Sequence, residues 1–216
     1  MIEGHFIVLE GIDGAGTTTQ LQLLSGRLRR KGLPVHSTRE PSDGPIGSLL
    51  RQVLTGRVVV PGVAGARSLS SAAMALLFAA DRMDHLDSEV IPNLLDGVTV
   101  LSDRYDYSSV AYQAATDEHA EAAVRWIRIL NERARRPDLT IVLDVGAEIA
   151  AKRRRERAGR PEIYDDPEFQ TRLDGFYRKL EQHFPNDPIV HLDGERDPEA
   201  VADQIWSAVE ALRARG

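Results

Sequence analysis

The sequence predicts an α/β fold: a five-stranded parallel sheet with helices on both faces. Three observations predict it. Short β-rich runs alternate with helical stretches along all 216 residues. The strand runs are nearly continuous in apolar residues, the pattern of strands buried on both faces. The loops richest in Gly, Asp and Arg follow the first, second and third runs, at the carboxyl edge where such sheets bind ligands.

The elements follow in order. HFIVLE (5–10) reads as the first strand. TTTQLQLLSGRLRRKG reads as a helix closing near Gly32, where glycine ends the periodic pattern. LPVHST is the second strand and PIGSLLRQVL a helix. TGRVVVPGVAGARS is a loop by its Gly and Pro content. LSSAAMALLFAADRMDHLDSEVI (69–91) predicts one long, mostly buried helix. GVTVLSD is the third strand, followed by the loop DRYDYSS. AEAAVRWIRILNERAR is helical and DLTIVLDV is the fourth strand. AEIAAKRRRER starts another helix, and DPEFQTRLDGFYRKLEQHF (166–184) predicts one more. PIVHLDG is the fifth strand and DPEAVADQIWSAVEALRAR the last helix. No Pro/Gly linker or internal repeat divides the chain, so residues 1–216 are expected to form one domain.

Composition narrows the function classes. Hydrophobic residues make up 42% and charged residues 28%, with a net charge of −6. That balance excludes a surface given over to nucleic acid and permits only a local basic patch. The chain has no cysteine, which excludes disulfides and thiolate metal sites. The start, MIEGHFIVLEG, lacks the basic segment and long apolar run of a signal peptide. No apolar run approaches membrane-spanning length, and a cytoplasmic location is expected. The only lysines are Lys31, Lys152 and Lys179.

EGIDGAGTTTQ (10–20) is one residue away from the phosphate-binding pattern G-x-x-x-x-G-K-[ST]. Gly11 and Gly16 occupy the glycine positions and Thr18 the hydroxyl position, while Thr17 stands where the lysine belongs. Between a strand and a helix, such a loop turns its N–H groups toward an anion at the helix N-terminus, and Thr18 would reach Mg²⁺. A glycine-rich turn with no ligand is the alternative. Asp103 ends an apolar strand as a carboxylate holding Mg²⁺ through water would. Arg104 beside it offers a planar fork for a phosphate, or forms a surface ion pair. Arg39, just past the second strand, fits a phosphate anchor or a loop salt bridge. Phe78 and Arg82 share a helix face. An aromatic ring stacked on a base, with an arginine one turn away, would make a nucleobase pocket, although a Phe on a buried helix is usually core. Tyr105, Tyr107 and Tyr112 fit core or pocket wall. Lys152 to Arg160 holds six basic residues and one acid before Gly159 and Pro161 end the helical pattern. An arginine-bearing lid over about residues 152–166 is one reading and a nucleic-acid patch the other; the acidic remainder of the chain weighs against the second.

Taken in order, EGIDGAG, TTQ, TREP with PIG and LR, LLFAADR, and SDRY with SS and AYQ make the chain resemble the thymidylate kinases, of the nucleoside monophosphate kinase group. The resemblance covers Phe6 to the last helix. It implies a P-loop NTPase-type sheet with an arginine-rich lid, commonly as a homodimer, with no nucleic-acid or membrane partner. It implies transfer of a phosphoryl group from ATP, with Mg²⁺, to dTMP. By the same resemblance, Gly11, Ile12, Asp13, Gly14, Ala15, Gly16, Thr17, Thr18 and Thr19 form the ATP phosphate loop. Arg39 and Arg104 hold the dTMP phosphate. Phe78 stacks on thymine and Arg82 bonds its carbonyl. Ser109 and Gln113 lie near the base, and Tyr112 lies under the sugar. Thr18 and, through water, Asp103 serve the metal. Asp13, Arg104 and the lid arginines Arg153, Arg155 and Arg157 take the catalytic roles. Three positions depart from the family pattern: Thr17 for lysine, Gly146-Ala147 for a proline-containing turn, and Asp165 for a glutamate. The first leaves a second expectation open, a catalytically impaired nucleotide-binding relative.

Overall fold

A computed structural model describes residues 4–61, 65–115, 119–156 and 166–215. The strands are β1 (Phe6–Glu10), β2 (Val35–Arg39), β3 (Thr99–Asp103), β4 (Leu139–Asp144) and β5 (Ile189–Asp193). The helices are α1 (Thr17–Arg30), α2 (Pro45–Leu54), α3 (Ser71–His85), α4 (Ile91–Leu95), α5 (Asp106–Ala114), α6 (Ala120–Leu130), α7 (Ala147–Glu156), α8 (Pro167–Tyr177), α9 (Leu180–His183) and α10 (Pro198–Arg213). The strands form one parallel sheet in the order β2-β3-β1-β4-β5. The chain therefore runs outward to β2, back to β3, and then across β1 to β4 and β5. The connections leaving β1 and β3 diverge, which opens a crevice at their carboxyl ends.

β1 is buried along its whole length, including Glu10. Val100, Leu101, Ile141 and Val142 flank it with no exposed surface, so the centre of the sheet is a dry, packed layer. That layer fixes where the loops after β1 and β3 emerge.

The predicted parallel five-stranded sheet is found, and four helical expectations differ in detail, the simplest being α6, which ends at Leu130 where the sequence predicts a helix running on to Arg135. The single helix expected over 69–91 is α3 and α4 joined by a π-helical turn over Leu86–Val90. Pro92, near the start of α4, has no N–H to give the preceding turn, and a wider turn accommodates it. The segment read as the loop DRYDYSS turns helical at Asp106. Its Tyr, Ser and Val residues have modest helix propensity, but Tyr107, Val110 and Ala111 bury completely, and packing decides. The helix expected over 166–184 is interrupted at Arg178 and Lys179, giving α8 and α9. Among the described residues no helix is long and apolar enough to cross a membrane.

Candidate active site

The loop Gly11–Gly16 joins β1 to α1. Gly14 has φ +91°, and a Cβ there would lie 2.4 Å from the Ala150 carbonyl oxygen of α7. Only glycine meets both demands. Gly16 caps α1 in the left-handed region, with φ 100°. Thr17, the first residue of α1, is buried. The start of a 14-residue helix thus faces the crevice with its N–H groups and the positive end of its dipole. The Thr18 hydroxyl donates to Asp103 Oδ2 at 2.5 Å. Asp103 Oδ1 is buried without a hydrogen-bond partner among the described residues. Two hard oxygen donors at a phosphate loop fit Mg²⁺ chemistry.

Beside this loop lies a cavity of about 320 Å³ over the ends of β1, β2 and β3. Asp13, Arg39, Arg51, Arg104, Phe78, Arg82, Ser109, Tyr112 and Gln113 are among the residues that line it. The acceptor-side residues expected from the sequence therefore meet in one cavity. Arg104 Nη2 donates to Asp13 Oδ1 at 2.5 Å, and the Tyr112 hydroxyl donates to Asp13 Oδ2 at 2.7 Å. Burial pushes the Asp13 carboxyl up, but Arg104, the Tyr112 hydroxyl and Arg154 outweigh it and hold the group below its ordinary range. Arg82 is fully buried, and its Nη atoms donate to Glu40 at 2.5 Å, Asn131 at 2.5 Å and Ser109 at 3.1 Å. Its Nε lacks a partner among the described residues. Arg39 is exposed and pairs with Asp43 at 2.8 Å; Arg51 reaches the same carboxylate at 3.3 Å.

A second cavity of about 300 Å³ opens on the other side of the loop, lined by Gly14, Ala15, Gly16, Thr19, Gln20, Arg153, Gly194 and Arg196 among others. Arg153 Nη1 donates to the Gly194 carbonyl at 2.9 Å and to Ala15 O at 3.4 Å. Arg154 Nη1 donates to Asp13 O at 2.5 Å. Of the lid arginines expected from the sequence, Arg153 reaches the phosphate loop. Arg155 is exposed on α7 and lines neither cavity. Arg157, like Gly159, Arg160, Pro161 and Asp165, lies outside the described residues.

Arg154 was not among the expected site residues. A readable signal existed: residues four apart share a helix face, so the α7 face that touches the loop at Ala150 carries Arg154. Arg51 falls in the LR pair of the family pattern, to which the sequence attaches no role. Glu10 was missed because it closes an apolar strand and reads as its end. In the structure it is fully buried and accepts from Tyr105 N at 2.7 Å, Ser108 Oγ at 2.7 Å and the Tyr177 hydroxyl at 2.8 Å.

The comparisons agree with this geometry. A family model described as thymidylate kinase matches residues 9–205. A protein of Thermococcus kodakarensis named probable thymidylate kinase is 41% identical over 208 residues, covering 96% of this chain and 98% of its own. A protein of Pyrobaculum aerophilum with the same name is 39% identical, covering 96% and 97%. One of Thermomicrobium roseum named thymidylate kinase is 38% identical, covering 98% and 97%. Fold and site together define a P-loop nucleotide kinase architecture. Within that class, the chain belongs to the thymidylate kinase family.

Glu10 gives the fold a pH dependence of definite sign. Burial pushes its carboxyl from the ordinary 4.5 up to about 7, against the opposing pull of Arg104 and three hydrogen bonds. The folded state keeps this proton over a range where the unfolded chain has released it. Its contribution to stability is therefore full below about 4.5 and is lost as pH rises through about 7. Glu10→Gln cannot titrate. The melting temperature of the parent relative to Glu10→Gln is expected to fall over that window and level off above it. A difference that rises with pH would reverse the sign.

Proposed function

We propose that the chain transfers the γ-phosphoryl group of ATP to dTMP, giving ADP and dTDP, in the cytoplasm. The carrying observation is the acceptor cavity. It gathers arginines, the Phe78 ring and polar side chains around one volume, and Asp13 of the phosphate loop lines it. A nucleotide binder without turnover would have no use for that cavity.

An acceptor phosphate oxygen is already ionised, so no general base is needed; positioning and charge stabilisation carry the acceleration. Arg39, Arg51 and Arg104 would hold the acceptor phosphate, with Phe78 against the base and Arg82, Ser109 and Gln113 at its polar edge. Tyr112, hydrogen-bonded to Asp13, would sit under the sugar and disfavour a 2′-hydroxyl. Thr18, with Asp103 through water, would hold Mg²⁺, whose charge offsets that of the β- and γ-phosphates. We expect kcat/KM for dTMP to exceed that for dUMP, UMP, dCMP and AMP in a coupled ADP-release assay. Faster turnover of AMP or dCMP would overturn the assignment.

Thr17 offers a hydroxyl where a P-loop lysine offers a point charge. The backbone N–H groups of Gly14 to Thr18 bind phosphates without it. We assign the missing charge to arginines of the lid helix, and among them to Arg154, with Arg153 on the nucleotide-facing side. Arg153 lines the second cavity and bonds the Ala15 carbonyl at 3.4 Å, while Arg154 makes the shorter bond to the loop, 2.5 Å to the Asp13 carbonyl. Arg154→Ala should lose about 10²-fold in kcat, the scale for removing a preorganised charge partner. Thr17→Lys should change kcat little. Activity switched on by Thr17→Lys in an otherwise inactive parent would favour the catalytically impaired relative.

The oligomer proposed is a homodimer. Leu76 on α3 and Ile129 on α6 are 52% and 63% exposed, Trp126 lies one turn before Ile129, and α3 packs against α6. Sedimentation at micromolar concentration should give a dimer, and a monomer would refute this part.

A further inference from the structure

We propose that Glu10 is a positioning residue for the acceptor phosphate: it fixes the backbone and the guanidinium of Arg104 from beneath the cavity. The inference rests on the reading above, in which Arg104 faces that phosphate.

Arg104 is the one described non-glycine residue with positive φ, at 76°. Such a backbone is strained and persists only where neighbours over-determine it. The neighbours here are specific. Arg104 N donates to Leu9 O at 2.9 Å, so β1 holds one side of the residue. On the other side, the next N–H, that of Tyr105, donates to Glu10 Oε1 at 2.7 Å. Glu10 Oε2 accepts from Ser108 Oγ at 2.7 Å, and the same Ser108 Oγ accepts from Arg104 Nη1 at 3.1 Å. One carboxylate therefore grips the peptide that follows Arg104 and the hydroxyl that orients its guanidinium. The Tyr177 hydroxyl of α8 completes the set, 2.8 Å from Glu10 Oε2 and 3.0 Å from Ser108 Oγ.

Glu10 lines neither cavity. It acts through others and is not a catalytic residue. Packing alone does not explain it: an apolar side chain would fill the foot of β1 without the cost of burying a carboxyl. The three hydrogen-bond donors converging on it suit an ionised acceptor, and burial works against that ionised form. A fully buried polar group with three hydrogen-bond partners beside a strained arginine fits a role in orientation.

The test is Glu10→Gln in the full chain, with dTMP affinity read by calorimetry and by steady-state kinetics. KM and Kd for dTMP should rise about tenfold or more, the scale of a small misplacement of a binding group, while KM for ATP stays at the parent value. In the double variant Glu10→Gln/Arg104→Ala, dTMP affinity should be no lower than in Arg104→Ala alone, because both changes act through one contact. Ser108→Ala cuts the link to the guanidinium while leaving the Glu10–Tyr105 bond. It should shift dTMP affinity in the same direction, and it carries the test if Glu10→Gln does not fold. Parent-like dTMP affinity in the variants, equal rises in both KM values, or additive losses with Arg104→Ala would overturn the positioning role alone. A parent that neither binds nor phosphorylates dTMP would overturn the reading beneath it as well.

Discussion

An edge built to bind phosphates must gather guanidinium groups in a place shielded from water, and like charges there repel. In this structure the arginines of the carboxyl edge are matched with carboxylates. Arg104 is paired with Asp13, Arg82 with Glu40, and Arg39 and Arg51 with Asp43. Removing charges from water is costly unless they are paired and hydrogen-bonded. The pairing also aims the planar forks, since an arginine held by two partners has lost most of its rotamer freedom. The buried pairs are the rigid ones. Arg82 and Glu40 are nearly without exposure, whereas Arg39 is 59% exposed. Arg82 is thus held rigidly, whereas Arg39, the proposed outer phosphate anchor, is held by a solvent-screened pair.

The same edge explains how α7 bears on the phosphate loop. Gly14 lets the loop approach Ala150 more closely than any side chain would allow. With α7 docked there, helical spacing determines which arginines meet the loop: Arg153 and Arg154 bond it, and Arg155 is exposed. A lysine at position 17 would extend from α1, whereas Arg153 and Arg154 reach the loop from α7. In the proposed reading, the two routes would bring charge to the same phosphates through different elements. Charge from α7 depends on that helix staying docked, and Gly14 is part of what docks it.

The sheet was legible because buried parallel strands leave continuous apolar runs, and because loops that bind ligands carry residues with little reason to be there otherwise. Arg39, Phe78, Arg82, Ser109, Tyr112 and Gln113 were readable as one constellation and meet in one cavity. What escaped has a physical cause in each case. The π turn before Pro92 arises from a missing hydrogen bond that periodicity does not register. α5 forms because its aromatic and aliphatic side chains find a core, not because its residues favour helix. Arg154 lies within a run of arginines, where composition cannot rank neighbours and only the docked face of α7 can. Glu10 is a carboxylate whose partners come from β3–α5 and α8, far away in sequence, so nothing local marks it.

Glu10 and Asp13 sit three residues apart on the same strand–loop junction and are both near Arg104, yet their carboxyls are driven in opposite directions. Burial is the largest influence on each. At Asp13 the direct Arg104 pair, the Tyr112 hydroxyl and Arg154 overcome it, so this carboxyl stays ionised at the cavity wall. At Glu10 Arg104 acts without a direct salt bridge, the remaining partners are neutral, and burial wins. The division suits their places. A carboxylate beside a phosphate site must be held by cations or it would repel the ligand, and Asp13 is so held. A carboxyl beneath the site need only hold the backbone and a hydroxyl in place, and in the proposed reading its loss of charge would limit its repulsion of the acceptor phosphate. One arginine thus connects an ionised group in the wall to a buried one in the foundation, and its own strained backbone is the hinge between them.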